Sequence, residues 1–291
     1  MTAQQVPLWT IESLLRWAVD DFRARGIDNP RLDAELLLGH ALGVTRIQLI
    51  VDAKRPLAEA ELGRMRELVK RRRTREPIAY ILGVREFYGR VFRVDRRVLV
   101  PRPDTETLVD VALARTRAVS MCMRALDLCT GSGCVAVTIA RERPTGSVFA
   151  TDRSADALAV ARDNAQRLGA YNVALRQGDL FAAVDAGARF DLITSNPPYI
   201  ASGELASLMP DVRDFEPRLA LEGGPDGLTV LRRLIAEAPA HLAPGGVLAV
   251  EVGAGEAPDV ARLFGDAGLV HVEVARDYGR IERVVSGVLS D

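Results

Sequence analysis

The segment Asn196-Pro197-Pro198-Tyr199 has the most specific chemical content of this chain. Two consecutive prolines end strand pairing and fix the backbone that follows. A flat NH₂ group conjugated to a carbonyl or a ring is a poor nucleophile, because its lone pair is delocalised. The Asn196 side-chain oxygen and the Pro197 backbone carbonyl can each accept one of its N–H hydrogens. Holding both aims the lone pair at an electrophile and favours the positive charge that develops on nitrogen, with little reorganisation in a rigid corner. Tyr199 can pack on the planar group. The electrophile must already be activated, as a sulfonium methyl is, and then no strong base is needed. Positioning carries the rate, and can contribute on the order of 7–11 kcal/mol at best.

A second constellation points to what binds beside it. In Cys129-Thr130-Gly131-Ser132-Gly133, the glycines let the backbone approach a ligand, and the helix that follows offers free N–H groups to an anion. Asp152, 19 residues beyond Gly133, is spaced to accept hydrogen bonds from two ribose hydroxyls. Gly178-Asp179-Leu180-Phe181 follows a third strand. The implied ligand is a nucleoside bearing a carboxylate or phosphate. Gly131-x-Gly133-x-x-Ala136 also fits a dinucleotide fingerprint, so this loop alone leaves a nicotinamide oxidoreductase open. Cys122, Cys129 and Cys134 form no Cys-x-x-Cys, and His40, His241 and His271 are scattered, so neither a disulfide framework nor a metal site is expected.

The elements that must position these residues read as follows. Ile11, Leu14, Leu15, Ala18, Val19 and Phe22 share one helical face behind Thr10 as N-cap. Asn29-Pro30 opens a second helix that stops at Gly43, and a third carries Leu62, Met65 and Val69 into a basic run, Lys70 to Arg73 with Arg75. Three such helices predict a small bundle over 1–76. From Ile78 to Val100 the residues turn β-branched and aromatic and predict a hairpin connector over 77–106. It ends in Pro101-Arg102-Pro103-Asp104-Thr105-Glu106, where Asp104 or Thr105 can cap the next helix. Over 107–291, strands at Ala125–Leu128, Val148–Thr151, Val173–Arg176, Leu192–Ser195 and Val247–Val252 alternate with helices. They predict an α/β fold with a Rossmann-like, mostly parallel sheet. Val270–Ala275 and Val284–Leu289 have no helix between them and predict a closing antiparallel hairpin. Ligands of such sheets bind beyond the carboxyl ends of the strands. The glycine loop, Asp152, Asp179 and Asn196 all stand at such ends.

Bulk properties narrow the class. The 291 residues carry a formal net charge of −1 with 48% apolar residues, which suits a globular protein and disfavours stable nucleic-acid binding. No apolar run reaches the ~20 residues of a membrane span, and no signal peptide is read, so a cytoplasmic location is expected.

The residues above resemble the class I S-adenosylmethionine-dependent methyltransferases, and among them the release-factor glutamine methyltransferases. The resemblance spans nearly the whole chain. It includes Arg31-Leu32-Asp33-Ala34-Glu35, Arg75-Glu76-Pro77-Ile78-Ala79-Tyr80, Val100 to Glu106, Asn196 to Ile200, Gly223-Gly224-Pro225-Asp226-Gly227 and Arg283-Val284-Val285. It implies methyl transfer from S-adenosylmethionine, without a metal, to the side-chain amide (N5) of the glutamine in a Gly-Gly-Gln motif of a peptide-chain release factor, in translation termination. It implies that Cys129, Thr130, Gly131, Ser132 and Gly133 hold the methionine end of the donor, Asp152 its ribose, and Asp179 and Leu180 its adenine, with Asn196 beside it. Asn196, Pro197, Pro198 and Tyr199 then bind the glutamine, Asn196 and Pro197 being catalytic. The helical region lies outside the cofactor-binding part and is expected to recognise the protein substrate. A monomer is expected. Cys129 stands where the family usually has glycine and is expected in ordinary backbone angles; Leu180 stands where some members carry tryptophan. Asn-Pro-Pro-Tyr is shared with DNA adenine N6 methyltransferases, and a sister family modifies a glutamine of a ribosomal protein; both remain alternatives, as does a non-catalytic binding protein.

Overall fold

A computed structural model describes residues 9–119 and 122–290. The chain divides between Gly83 and Val84 into two compact units.

The first unit is helical: α1 (Ile11–Ala24), α2 (Pro30–Leu42), α3 (Arg46–Val51), α4 (Glu59–Arg73) and α5 (Ile78–Leu82). Thr10 caps α1, accepting a hydrogen bond from the Ser13 N–H, and Gly43 closes α2 at φ +69°. Ile11, Leu14, Ala18 and Phe22 meet Leu37, Leu38, Met65 and Val69 in one apolar core. Asn29 makes no side-chain cap bond. Two expectations are corrected. The short helix α3 intervenes before α4, its Thr45–Gln48 capping box unread in the sequence. Ile78–Leu82 is helical rather than part of the hairpin, started by Pro77 at φ −54° and ended by Gly83 at φ +73°. A five-residue apolar run has no periodicity to tell helix from strand, so its flanking residues decide. The basic run is neutralised within this unit: Lys70 pairs with Glu67, Arg71 with Glu76, Arg72 with Asp33 and Arg73 with Asp21, and Arg75 donates to the Gly26 carbonyl.

The second unit opens with a hairpin, β1 (Val84–Phe87) and β2 (Arg90–Arg93), and a 3₁₀ turn (Pro103–Thr105) leading into α6 (Glu106–Arg115). Then follow β3 (Arg124–Leu128), α7 (Cys134–Glu142), β4 (Ser147–Asp152), α8 (Ala155–Arg167), β5 (Val173–Gln177) and β6 (Phe190–Ser195). After them come β7 (Ile200–Ala201), α9 (Pro210–Arg213), β8 (Glu222–Gly224), α10 (Thr229–Glu237), β9 (Leu242–Glu251), α11 (Ala257–Asp266), β10 (Leu269–Arg276) and β11 (Glu282–Leu289). One seven-stranded sheet has the order β10-β11-β9-β6-β3-β4-β5. Its β9, β6, β3, β4 and β5 run parallel, and β11 inserts antiparallel between β9 and β10. Apolar cores cover both faces, one including Ala125, Val135 and Val148, the other Leu126, Leu128 and Ile193, as burial on both sides requires of parallel strands. From β3 the chain winds outward through β4 and β5, then returns to β6 on the other side of β3. The carboxyl ends of β3 and β6 therefore open a crevice at the reversal of strand order. Among the described residues no helix is long and apolar enough to cross a membrane.

Candidate active site

A cleft of about 1160 Å³, partly open to solvent, lies over these strand ends. Its walls include Cys129, Thr130, Gly131 and Ser132 after β3, Asp152 at the end of β4, Asp179 and Leu180 after β5, and Asn196 and Pro198 after β6. Four features separated by up to 69 residues of sequence thus meet in one cavity. Gly133, Pro197 and Tyr199 do not line it.

The loop after β3 is held from beneath. Asp127 is 1% exposed and receives the Thr130 hydroxyl at 2.6 Å and the Thr194 hydroxyl at 2.8 Å. Burial pushes its carboxyl up to about 7, against these two hydroxyls. Gly131 sits at φ +55° with no atom within 4 Å of where a Cβ would stand, so its backbone is bare to the cleft. Gly133, at φ +79°, serves helix packing instead, since its Cβ would lie 3.1 Å from that of Ala161; it lets α7 close on α8. Cys129 adopts φ +57° rather than ordinary angles, which explains why glycine suits this place. Its thiol is pushed up to about 12 by burial, with Asp152 adding to the effect. It is therefore an inert neutral group. Asp152 accepts the Gly131 and Ser154 N–H groups, one on each carboxylate oxygen, both at 2.8 Å. Each oxygen keeps a further lone pair for a ligand hydroxyl. Burial raises this carboxyl and the backbone N–H groups lower it. Asp179 pairs with Arg233 at 2.9 Å, and Leu180, at φ +51°, is among the residues lining the cleft, while its carbonyl accepts the Thr151 hydroxyl.

The corner after β6 is as closely supported. The Asn196 side-chain Nδ2 donates to the Thr105 hydroxyl at 3.1 Å, and its Oδ1 receives no hydrogen bond from the described residues. The buried Pro197 follows, and its carbonyl likewise accepts none from them. Tyr199 turns its hydroxyl to Glu251 Oε1 at 3.2 Å, so its ring packs into the core beside the corner instead of forming a cleft wall. Burial raises the Tyr199 phenol and pushes the Glu251 carboxyl up to about 7. The Gly223 to Gly227 loop backs this corner rather than lining the cleft: a Cβ at Gly223 would stand 2.7 Å from Tyr199 Cα and 2.8 Å from the Pro198 carbonyl. β8 pairs with β7 immediately after Tyr199 and fixes that approach.

Several residues of this site escape a reading by motif. Thr105, expected as a helix cap, makes no cap bond and serves Asn196 instead. Glu251 is a lone acid within the apolar strand Val247–Val252, which is its only sequence signal. Arg102 Nη2 donates to both carboxylate oxygens of the buried Glu216 at 2.7 and 2.8 Å, tying down the segment whose Pro217, Leu219 and Ala220 line the cleft. Asn164, fully buried, donates to the Ser132 and Arg93 carbonyls at 2.9 Å and accepts the Arg93 N–H at 2.7 Å, joining β2 to the glycine loop.

Comparison with known proteins agrees with this architecture. Residues 13–83 match a family model described as the PrmC N-terminal domain, and residues 120–263 one described as a methyltransferase domain. A solved methyltransferase from Pyrococcus furiosus shares the fold, with a TM-score of 0.51 at 19% identity over 70% of this chain and 91% of that one. The sequence is 44% identical over 280 residues to a release factor glutamine methyltransferase of Geobacter sulfurreducens, covering 96% of this chain and 97% of that protein. It is 46% identical over 276 residues to one of Cereibacter sphaeroides, covering 94% and 97%. Similarity of this depth along almost the full length of both partners makes the chain a member of the release factor glutamine methyltransferase family.

Proposed function

We propose that this chain transfers a methyl group from S-adenosylmethionine to the side-chain amide nitrogen of the Gly-Gly-Gln glutamine in peptide-chain release factors. The observation that carries the reading is that Asn196 and Pro198 line the same cleft as Asp152 and the glycine loop. Asp152 fits a ribose, with one lone pair free on each oxygen, and the bare backbone at Gly131 fits the donor's amino-acid end. Thr130, Ser132, Cys129, Asp179 and Leu180 complete that side, and Gly133 contributes through helix packing. The donor supplies a sulfonium methyl.

The protein's own contribution is orientation. Asn196 Oδ1 and the Pro197 carbonyl, which receive no hydrogen bond from the described residues, accept the two hydrogens of the glutamine NH₂. Pro198 and Tyr199 keep that corner in place, Pro198 as a cleft wall and Tyr199 through Glu251. The neutral amide nitrogen bonds to the sulfonium methyl as the methyl–sulfur bond breaks and a neutral thioether leaves; the nitrogen then gives its proton to water, so no group of the chain must remove a proton before attack. The helical unit recognises the protein substrate; Ile47, Ile50 and Val51 on α3 are each more than 70% exposed and suit an apolar contact. The enzyme acts in the cytoplasm as a monomer and holds no nucleic acid stably, in keeping with the paired basic run.

The test offers labelled S-adenosylmethionine to purified release factor and locates the label by peptide mass. Label on the Gly-Gly-Gln glutamine is expected; its absence, or its presence on another residue type, rejects the reading. Asn196→Ala is expected to lose about 10²-fold or more in rate, with donor affinity little changed, by analogy with single hydrogen-bonding groups of other active sites.

A further inference from the structure

Asn164 lies within α8, fully buried and not among the residues that line the cleft, yet its side chain bonds only to backbone groups of β2 and the glycine loop. The orientation of its amide is unambiguous. The Arg93 N–H can only donate, so Oδ1 faces it at 2.7 Å; the Arg93 and Ser132 carbonyls can only accept, so Nδ2 faces both, each at 2.9 Å. Arg93 ends β2, in register with Val84 of β1. The amide is thus braced by the hairpin on one side and grips the loop on the other.

What it grips is the peptide between Ser132 and Gly133. The N–H of that peptide closes a turn onto the Thr130 carbonyl at 2.8 Å, and its oxygen is held by Asn164. Ser132 lines the cleft and Asn164 does not, so the bond draws this oxygen into the protein. Glycine tolerates φ of either sign, so residue 133 does not itself stop the peptide from turning over. Turned over, the carbonyl oxygen would stand at the start of α7 and oppose an anion there. Ala161, three residues earlier on the same face of α8, is the residue that leaves no room for a Cβ at Gly133. One helix face therefore sets both the place of the loop and the direction of its peptide.

We infer that Asn164 is a positioning residue for the methyl donor: it keeps the Ser132 carbonyl out of the cleft, so that the loop meets the donor's amino-acid end with N–H groups. The inference rests on the reading above, in which this loop holds that end of S-adenosylmethionine.

Asn172 provides a matched control. Its Nδ2 donates to the Ala140, Arg143 and Gly146 carbonyls at 3.2, 3.2 and 3.0 Å, and none of these residues lines the cleft. Asn164→Ala and Asn172→Ala each delete three hydrogen bonds to backbone, and both should lower the melting temperature. Only Asn164→Ala should weaken S-adenosylhomocysteine by calorimetry, by about tenfold, the scale of one misdirected polar group. 5′-Methylthioadenosine has the same nucleoside without the amino-acid end and should bind Asn164→Ala as it binds wild type. In turnover, KM for the donor should rise while kcat at saturating donor changes little. Equal S-adenosylhomocysteine affinity in the two variants would overturn the inference, as would a parallel loss of both ligands in Asn164→Ala. Should Asn164→Ala not fold, the wild-type protein decides by NMR. The Asn164 side-chain NH₂ should exchange more slowly with water once S-adenosylhomocysteine binds, and 5′-methylthioadenosine should not slow it; an unchanged rate with the first ligand overturns the inference. A wild-type chain that binds no S-adenosylmethionine shows instead that the reading of the cleft has failed.

Discussion

Two glycines two positions apart in one loop have separable physical roles. Gly131 and Gly133 both hold positive φ, so alanine at either costs roughly 1–2 kcal/mol of backbone strain. At Gly131 the added methyl meets nothing within 4 Å and points into the cleft. At Gly133 it meets Ala161 at 3.1 Å, which adds about 1–3 kcal/mol of crowding between α7 and α8. Gly133→Ala should therefore be the less stable of the two in urea, and Gly131→Ala should show the larger loss of S-adenosylmethionine affinity by calorimetry. The reverse order would mean that the loop's contact with the donor has been misplaced. The motif alone gave both glycines the same role. What distinguishes them is the helix packed behind, to which Gly133 is joined by no sequence spacing. Cys129 teaches the same point, since its left-handed backbone is a property of the loop's path and not of cysteine.

At the scale of elements, the strands and their carboxyl-end residues were legible because each strand is an apolar run cut off by a polar or glycine stop. Asp152, Asn196 and the glycine loop stand where that pattern puts them. The short elements were not legible. β7 and β8 have two and three residues, and their pairing joins positions that no local pattern connects. Yet they and Gly223 hold the Asn-Pro-Pro-Tyr corner in place. Gly223→Ala should push the Pro198–Tyr199 backbone away, because backbone atoms at 2.7 and 2.8 Å cannot yield as a flexible side chain would. A fall in kcat of about 10²-fold is expected, with donor affinity changed far less, since a displacement near 1 Å can cost that much. A variant with wild-type kcat would show that the loop does not set the corner's position.

At the scale of the whole molecule, sequence pattern yielded the N-terminal helices and the mostly parallel sheet, but not where buried charge would lie. Asp127 and Glu251 are both pushed by burial up to about 7, while an unfolded chain holds such groups near ~4. The folded state thus favours their protonated forms. The resulting stabilisation is complete below about pH 4 and is lost as pH rises through about 7. Glu251→Gln stays neutral throughout, so its melting temperature relative to wild type should improve from about pH 4 to about pH 7 and level off above that. Tyr199, Thr105, Arg283 and Asp104 face this carboxyl and are unaltered in that comparison. A pH-independent difference would mean that Glu251 ionises normally in the fold. Everything in the chemical account depends on how the corner meets its substrate, and a crystal structure with S-adenosylhomocysteine and a Gly-Gly-Gln peptide reads that directly. The account predicts the glutamine NH₂ bonded through one hydrogen to Asn196 Oδ1 and through the other to the Pro197 carbonyl, with nitrogen facing the donor's sulfur. A glutamine nitrogen held by neither group, or Asn196 turned with its Nδ2 toward the peptide, would contradict it.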